Sequence, residues 1–129
     1  KLAAPNRQVI AAVGDGSYMF CVPTAAHFVG RAEGLPTLTL VSNNAEWFAV
    51  RRATTLMYPK GRASQANILP LVELNPSPSF EKTIEACGGY GEAVDDPAEL
   101  PKALERAFQA IDDGNSALLN IKTLAGGRG

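Results

Sequence analysis

The sequence is short of the side chains that build most metal and redox centres. Among 129 residues it has two cysteines, Cys21 and Cys87, and one histidine, His27. A structural zinc site takes about four nitrogen or sulfur ligands, so these three cannot make one. The cysteines form no CxxC pair, and they read as buried free thiols of a reducing, cytoplasmic setting. An excess of one charge is missing too. Twelve basic and 13 acidic residues leave a net charge of −1. General nucleic-acid binding and membrane-surface binding both need a basic footprint, so neither partner is expected. No apolar run approaches the roughly 20 residues of a membrane span, and Lys1 opens no cleavable signal pattern.

What is there is the composition of one ordinary globular domain, 46% apolar and 19% charged. Strand and helix signals alternate along it. Gln8–Gly14 is a short apolar run rich in β-branched residues, suited to a strand buried on both faces. Ala25, Ala26, Val29 and Ala32 keep helical spacing after Pro23, a good first-turn proline, and Gly34 stops that helix. Thr37–Val41 is a second buried strand, closing on Ser42-Asn43-Asn44. Trp47, Val50, Arg51 and Thr54 predict another helix. From Tyr58 to Pro78 the pattern fails around Pro59, Pro70, Pro76 and Pro78, and such a stretch is either a lid or a surface excursion. Phe80–Cys87 reads as a short helix ended by Gly88-Gly89, and Glu92–Val94 as a brief strand. Asp96-Pro97-Ala98-Glu99 has capping-box spacing. Leu100, Ala103, Leu104, Ala107, Phe108 and Ile111 then form one apolar stripe, stopped at Gly114 before a last strand, Ala117–Ile121. Alternating, continuously apolar strands predict an α/β fold: a parallel sheet with helices on both faces.

In such sheets ligands sit beyond the carboxyl ends of the strands. Both unusual polar turns, Gly14-Asp15-Gly16-Ser17 and Asn43-Asn44, fall at such ends. Two glycines let a backbone come close to a ligand and leave N–H groups free for an anion such as a phosphate. Asp15 beside that anion would repel it unless a cation lay between them. Magnesium or calcium, which prefer oxygen ligands, resolves the conflict, and Asn44 adds a neutral amide oxygen from the next strand end. A lone Asp-Gly turn after a strand is most often only a turn. Its pairing with the asparagines is the informative part.

On these residues the sequence resembles the diphosphate-binding domain of thiamine-diphosphate-dependent enzymes. The stretch that carries the resemblance is GDGSYMFCVPTAAHFVGRAEGLPTLTLVSNN, residues 14–44. The flanks, KLAAPNRQVIAAV before it and YGEAVDDPAELPKALERAF to ALLNI after it, extend the likeness over nearly the whole chain. The nearest group is that of acetolactate synthase, benzoylformate decarboxylase and pyruvate oxidase. The resemblance implies thiamine diphosphate and Mg2+ as cofactors. It makes Asp15 and Asn44 side-chain ligands of the metal and offers the main-chain carbonyl of Glu46 as a third. It implies that Gly14, Gly16 and Ser17 belong to the cofactor-binding turn, with Asn43 shaping the second turn. The implied activity is that of a 2-keto acid decarboxylase and carboligase, acetolactate synthase-like. The alternatives are a simple decarboxylase such as benzoylformate decarboxylase, or a non-catalytic binding module that keeps the fold. A Rossmann nucleotide domain is disfavoured, since no GxGxxG follows the first strand.

In the family the glutamate that activates the cofactor belongs to another domain, and the apolar wedge that bends the cofactor precedes the GDG strand. Only thirteen residues precede Gly14. The chain therefore reads as an N-terminally truncated domain, inactive on its own, whose partners are the remaining domains or subunits of the same enzyme, a homo-oligomer. An apolar edge next to Val9–Val13 or Thr37–Val41 should then be exposed. Three further features stay open between two roles. His27 is packed or on the surface. Trp47 and Phe48 line a pocket or pack. Arg51-Arg52 meet an anionic substrate or phosphate, or form a solvated helix face.

Overall fold

The structure is a computed structural model that describes residues 1–66, 69 and 71–124. Its centre is a parallel sheet of β1 (Ile10–Gly14), β2 (Leu38–Asn43), β3 (Tyr90–Val94) and β4 (Ala117–Lys122), in the order β1-β2-β4-β3. Parallel neighbours need crossovers, and helices supply them. α1 (Asp15–Phe20) and α2 (Pro23–Ala32) join β1 to β2. α3 (Phe48–Met57), α4 (Arg62–Gln65) and α5 (Glu81–Glu85) lead to β3. A 3-10 turn at Pro97–Glu99 and α6 (Leu100–Asp112) lead to β4.

The register explains why the central strands are apolar throughout. Leu38 lies opposite Ala117, and Leu40 opposite Leu119. Successive strand residues point to opposite faces. Ala117 and Leu119 therefore pack under α6 with Leu38, Val94, Ala103, Ala107 and Ile111. Leu118 goes the other way, to Tyr18 of α1, Phe80 just before α5, Ile84 of α5, and Val41. Each fully buried Leu contributes about 1.5–3 kcal/mol, so β4, apolar on both faces, anchors the sheet. The sheet with helices on both faces is the architecture that the alternating pattern predicts.

Several details differ from the pattern. β1 was expected to be buried on both faces, but it is an edge strand with Ile10, Ala11 and Ala12 exposed. It pairs with β2 alone, and α6 reaches only β2, β3 and β4. β2 is interior, so of the two candidate apolar edges only Val9–Val13 is an edge. The helix after the GDG turn starts at Asp15 rather than Pro23. α1 ends at Phe20, and Val22 takes a left-handed φ of 51° before Pro23 opens α2. The stripe Ala25, Ala26, Val29 and Ala32 faces solvent; His27 is the buried residue of α2. The cysteines are not buried either. Cys21 is exposed just past the end of α1, and Cys87 is half-buried with its thiol 3.8 Å from the Thr24 carbonyl. Within the proline-interrupted stretch, α4 and an antiparallel bridge between Glu46 and Glu73 give order where none was read. Asn67, Ile68 and Pro70 of that stretch lie outside the described residues.

Candidate functional site

The pairing of β1 with β2 sets Gly14 beside Ser42, so the two polar turns leave the sheet side by side. The chain turns sharply at Gly14, and Asp15 enters the first turn of α1. Its side chain is buried, only 3% exposed. Asp15 Oδ1 accepts the Gly16 N–H at 2.8 Å and Oδ2 accepts the Glu46 N–H at 3.3 Å. Asn44 Oδ1 accepts that same Glu46 N–H at 3.1 Å. Two oxygens from different strand ends thus meet at one backbone nitrogen. Burial pushes the Asp15 carboxyl above its ordinary value, and the surrounding backbone N–H groups offset this only in part. Among the described residues no cationic side chain pairs with it.

The second turn is held from behind. Asn43 is buried, and its Nδ2 donates to Asn120 Oδ1 and to Ser77 Oγ, both at 2.9 Å. Its Oδ1 accepts the Ala45 N–H at 3.0 Å. This bond closes the turn over Ala45, whose φ of 55° is left-handed and costs a non-glycine residue about 1 kcal/mol. Asn120 in turn donates to Glu81 Oε2 at 2.8 Å. Residues 72–74 brace the outside, with Trp47 N–H on the Val72 carbonyl and Leu74 N–H on the Ala45 carbonyl, each at 2.8 Å. The Glu46 carboxylate points away from Asp15. It is buried against the Arg51 guanidinium, which also donates to Glu73 Oε1 at 3.3 Å.

Between the turns opens a pocket of about 520 Å³, and Gly14, Asp15, Gly16, Ser17, Asn44 and Glu46 all line it. The structure brings these six candidate residues together in one pocket. The far wall is apolar: Phe20, Trp47, Phe48 and Val50. The indole of Trp47 lies against Gly16, where an added Cβ would sit 3.4 Å from the ring. It meets Phe20 edge-on, with ring centroids 6.4 Å apart. Trp47 and Phe48 line the pocket, the first of the two roles left open for them. Arg51 serves neither of its two candidate roles but pairs with carboxylates, while Arg52 is exposed.

Two features were not visible in the sequence. The first is the Glu46–Arg51–Glu73 group, which joins residues far apart in the chain. The second is a buried bond between the Tyr18 hydroxyl and His27 Nε2, at 2.8 Å, which ties α1 to α2. Burial holds the Tyr18 phenol up at about 12 and lowers His27, so both are neutral near pH 7. No local motif signals either group, because each depends on which helix packs where.

The family model described as "Thiamine pyrophosphate enzyme, C-terminal TPP binding domain" matches residues 1–121. A probable sulfoacetaldehyde acetyltransferase of Rhizobium meliloti is 34% identical over 122 residues, 94% of this chain and 19% of its own length. An acetolactate synthase large subunit of Mycobacterium tuberculosis is 32% identical over 123 residues, 95% of this chain and 20% of its own. Among solved structures, a thiamine diphosphate-dependent 4-hydroxybenzoylformate decarboxylase of Rhodococcus jostii superposes with a TM-score of 0.72 at 23% identity. The alignment covers 96% of this chain and 21% of that one, and shares the fold. The chain thus spans about a fifth of the length of the curated relatives it matches. With the paired turns, the parallel sheet and these matches in hand, the chain belongs to the thiamine pyrophosphate enzymes, as a C-terminal TPP binding domain.

Proposed function

We propose that the Asp15 carboxylate, the Asn44 amide oxygen and the Glu46 main-chain carbonyl hold Mg2+, and that the turn Gly14, Gly16 and Ser17 receives the diphosphate of thiamine diphosphate. The observation that carries this reading is the meeting of Asp15 Oδ2 and Asn44 Oδ1 at the single Glu46 N–H. A hard cation takes oxygen ligands, and one carboxylate with one neutral amide suits an ion that must also take phosphate oxygens. Asp15 supports the fit in a second way. A buried carboxylate with no cationic partner is disfavoured in its charged form, and a divalent ion beside it removes that cost.

When bound, thiamine diphosphate supplies the nucleophile and the electron sink for cleavage beside a 2-keto carbonyl. The chain's own residues bind and orient. Ser17 would offer its hydroxyl to the diphosphate, and Trp47 on Gly16 keeps that turn in place. Phe20, Trp47 and Phe48 keep water off one side of the pocket.

The whole protein is read as a 2-keto acid decarboxylase and carboligase of the acetolactate synthase kind, after the 32% relative. The 34% relative favours a second reading, an activity of the sulfoacetaldehyde acetyltransferase kind, and product analysis of the full natural chain separates them. The remaining domains or subunits of the same enzyme, in a homo-oligomer, are the partners. Exposed Ile10, Phe28 and Val29 give them an apolar surface to cover.

Calorimetry of the full natural chain with Mg2+ tests the site. Asp15→Ala should abolish thiamine diphosphate binding, because the diphosphate loses its bridging ion. Equal affinity for wild type and variant overturns the assignment.

A further inference from the structure

The Mg2+ reading leaves a second carboxylate unexplained. Glu46 is buried, its backbone nitrogen stands 3.3 Å from Asp15 Oδ2, and it lines the same pocket, so its side chain starts beside the candidate cation site. The carboxylate points the other way, onto Arg51. Arg51 is itself mostly covered and spans to Glu73 on the segment that braces the turn. A guanidinium is always charged and forks between two carboxylates, which a lysine ammonium does with less geometric control.

We propose that Arg51 is a positioning residue that sequesters the Glu46 carboxylate, so that the cation site presents one formal negative charge instead of two. The inference rests on the Asp15/Asn44 reading and deepens it. Charge count decides what a hard-cation site does. With two carboxylates it binds the ion on its own, and affinity rises with each added charge. With one carboxylate and one amide it holds the ion weakly until a polyanion completes the coordination. Arg51 thereby makes metal binding depend on the diphosphate. The same arrangement keeps a second negative charge from facing the diphosphate across the ion, where it would weaken cofactor binding.

The test uses the full natural chain and Mn2+ alone as the probe, followed by electron paramagnetic resonance, with thiamine diphosphate titrated separately by quenching of tryptophan fluorescence. Wild type should bind Mn2+ weakly without cofactor. Arg51→Met should tighten Mn2+ binding alone by about tenfold, through the added carboxylate. It should weaken thiamine diphosphate binding at saturating metal by a similar factor. The double variant Glu46→Gln with Arg51→Met has no carboxylate to release, and should return Mn2+ binding to the wild-type level. Arg51→Lys, which keeps the charge but holds the two carboxylates less firmly, should show a smaller gain and covers the case in which Arg51→Met does not fold. A purely structural role for Arg51 would lower both affinities together, and the double variant would not restore them. Unchanged Mn2+ affinity in folded Arg51→Met or Arg51→Lys overturns the proposal while leaving the site itself standing. If wild-type chain shows no Mn2+-dependent cofactor binding, or Asp15→Ala binds as wild type does, the underlying site reading fails instead.

Discussion

The two ends of the sheet follow one pattern and reach different outcomes. At the β3–β4 end, α6 lays Ala103, Ala107 and Ile111 on the sheet, and the strand residues beneath are sealed. At the β1 end Ile10 is exposed and no residue of α3 is buried, with Leu56 and Met57 facing outward; α2, which packs on α1 and α5, likewise turns Phe28 (66% exposed) and Val29 outward. The difference is not one of helix quality. It is one of what lies opposite. The β3–β4 end closes on itself and holds the fold together. The β1 end carries the first of the two candidate site turns and leaves apolar side chains uncovered among the described residues.

That contrast can be broken by substitution. Leu119→Ala, in the sealed half, should cost about 2–5 kcal/mol in urea unfolding. Phe28→Ser, on the outward side of α2, should stay within about 0.5 kcal/mol in the 129-residue chain. Equal losses would mean that the open surface is folded against something within the chain. Glycines sharpen the same point. A Cβ on Gly91 would sit 2.3 Å from the Glu81 carbonyl, so Gly91→Ala should cost about 1–3 kcal/mol by overpacking. Gly14 has nothing within 4 Å, and Gly14→Ala should leave thermal stability unchanged.

The Tyr18–His27 bond ties α1 to α2, and pH tests it. His27 is lowered in the fold, so below its ordinary value of 6.5 the unfolded chain binds the extra proton first. Stability should therefore fall as pH drops through about 6.5 and level off once the folded form is protonated as well. Tyr18, raised from 10.0 to about 12, contributes stability that is full below 10 and lost as pH rises through 12. The plateau between should be visible in chemical denaturation across pH. Tyr18→Phe removes the upper limb and costs about 1–3 kcal/mol, because the buried ring nitrogen loses its partner. A variant with an unchanged profile would show that the bond carries no weight.

The smallest effect per residue is the most collective. In light scattering, the 129-residue chain should self-associate or bind an apolar dye, and Phe28→Ser with Val29→Ser should reduce both. A clean monomer with no dye binding would show that the open half needs no cover.

Much of this was legible in the residues themselves. Continuous apolar runs at Leu38–Val41 and Ala117–Leu119 require burial on both faces, which only a helix-covered parallel sheet provides. The stripe of α6 needed no more than its period. The site turns were legible because their chemistry is local: a carboxylate between two glycines, and asparagines after the next strand, speak of an anion and a hard cation before any fold is known. What the sequence could not decide is what lies across from what. β1 has the composition of an interior strand, and its edge position follows from the strand order alone. His27 could have faced either way on α2 until α1 offered the Tyr18 hydroxyl. Glu46 stands next to the site in sequence, yet its carboxylate is turned aside by Arg51 on α3 and fixed through Glu73 from a segment that reads as structureless. Periodicity and turn chemistry act over a few residues and are written in order along the chain. Edge, partner and charge pairing depend on distances between residues far apart in that order, and only the packed structure sets them.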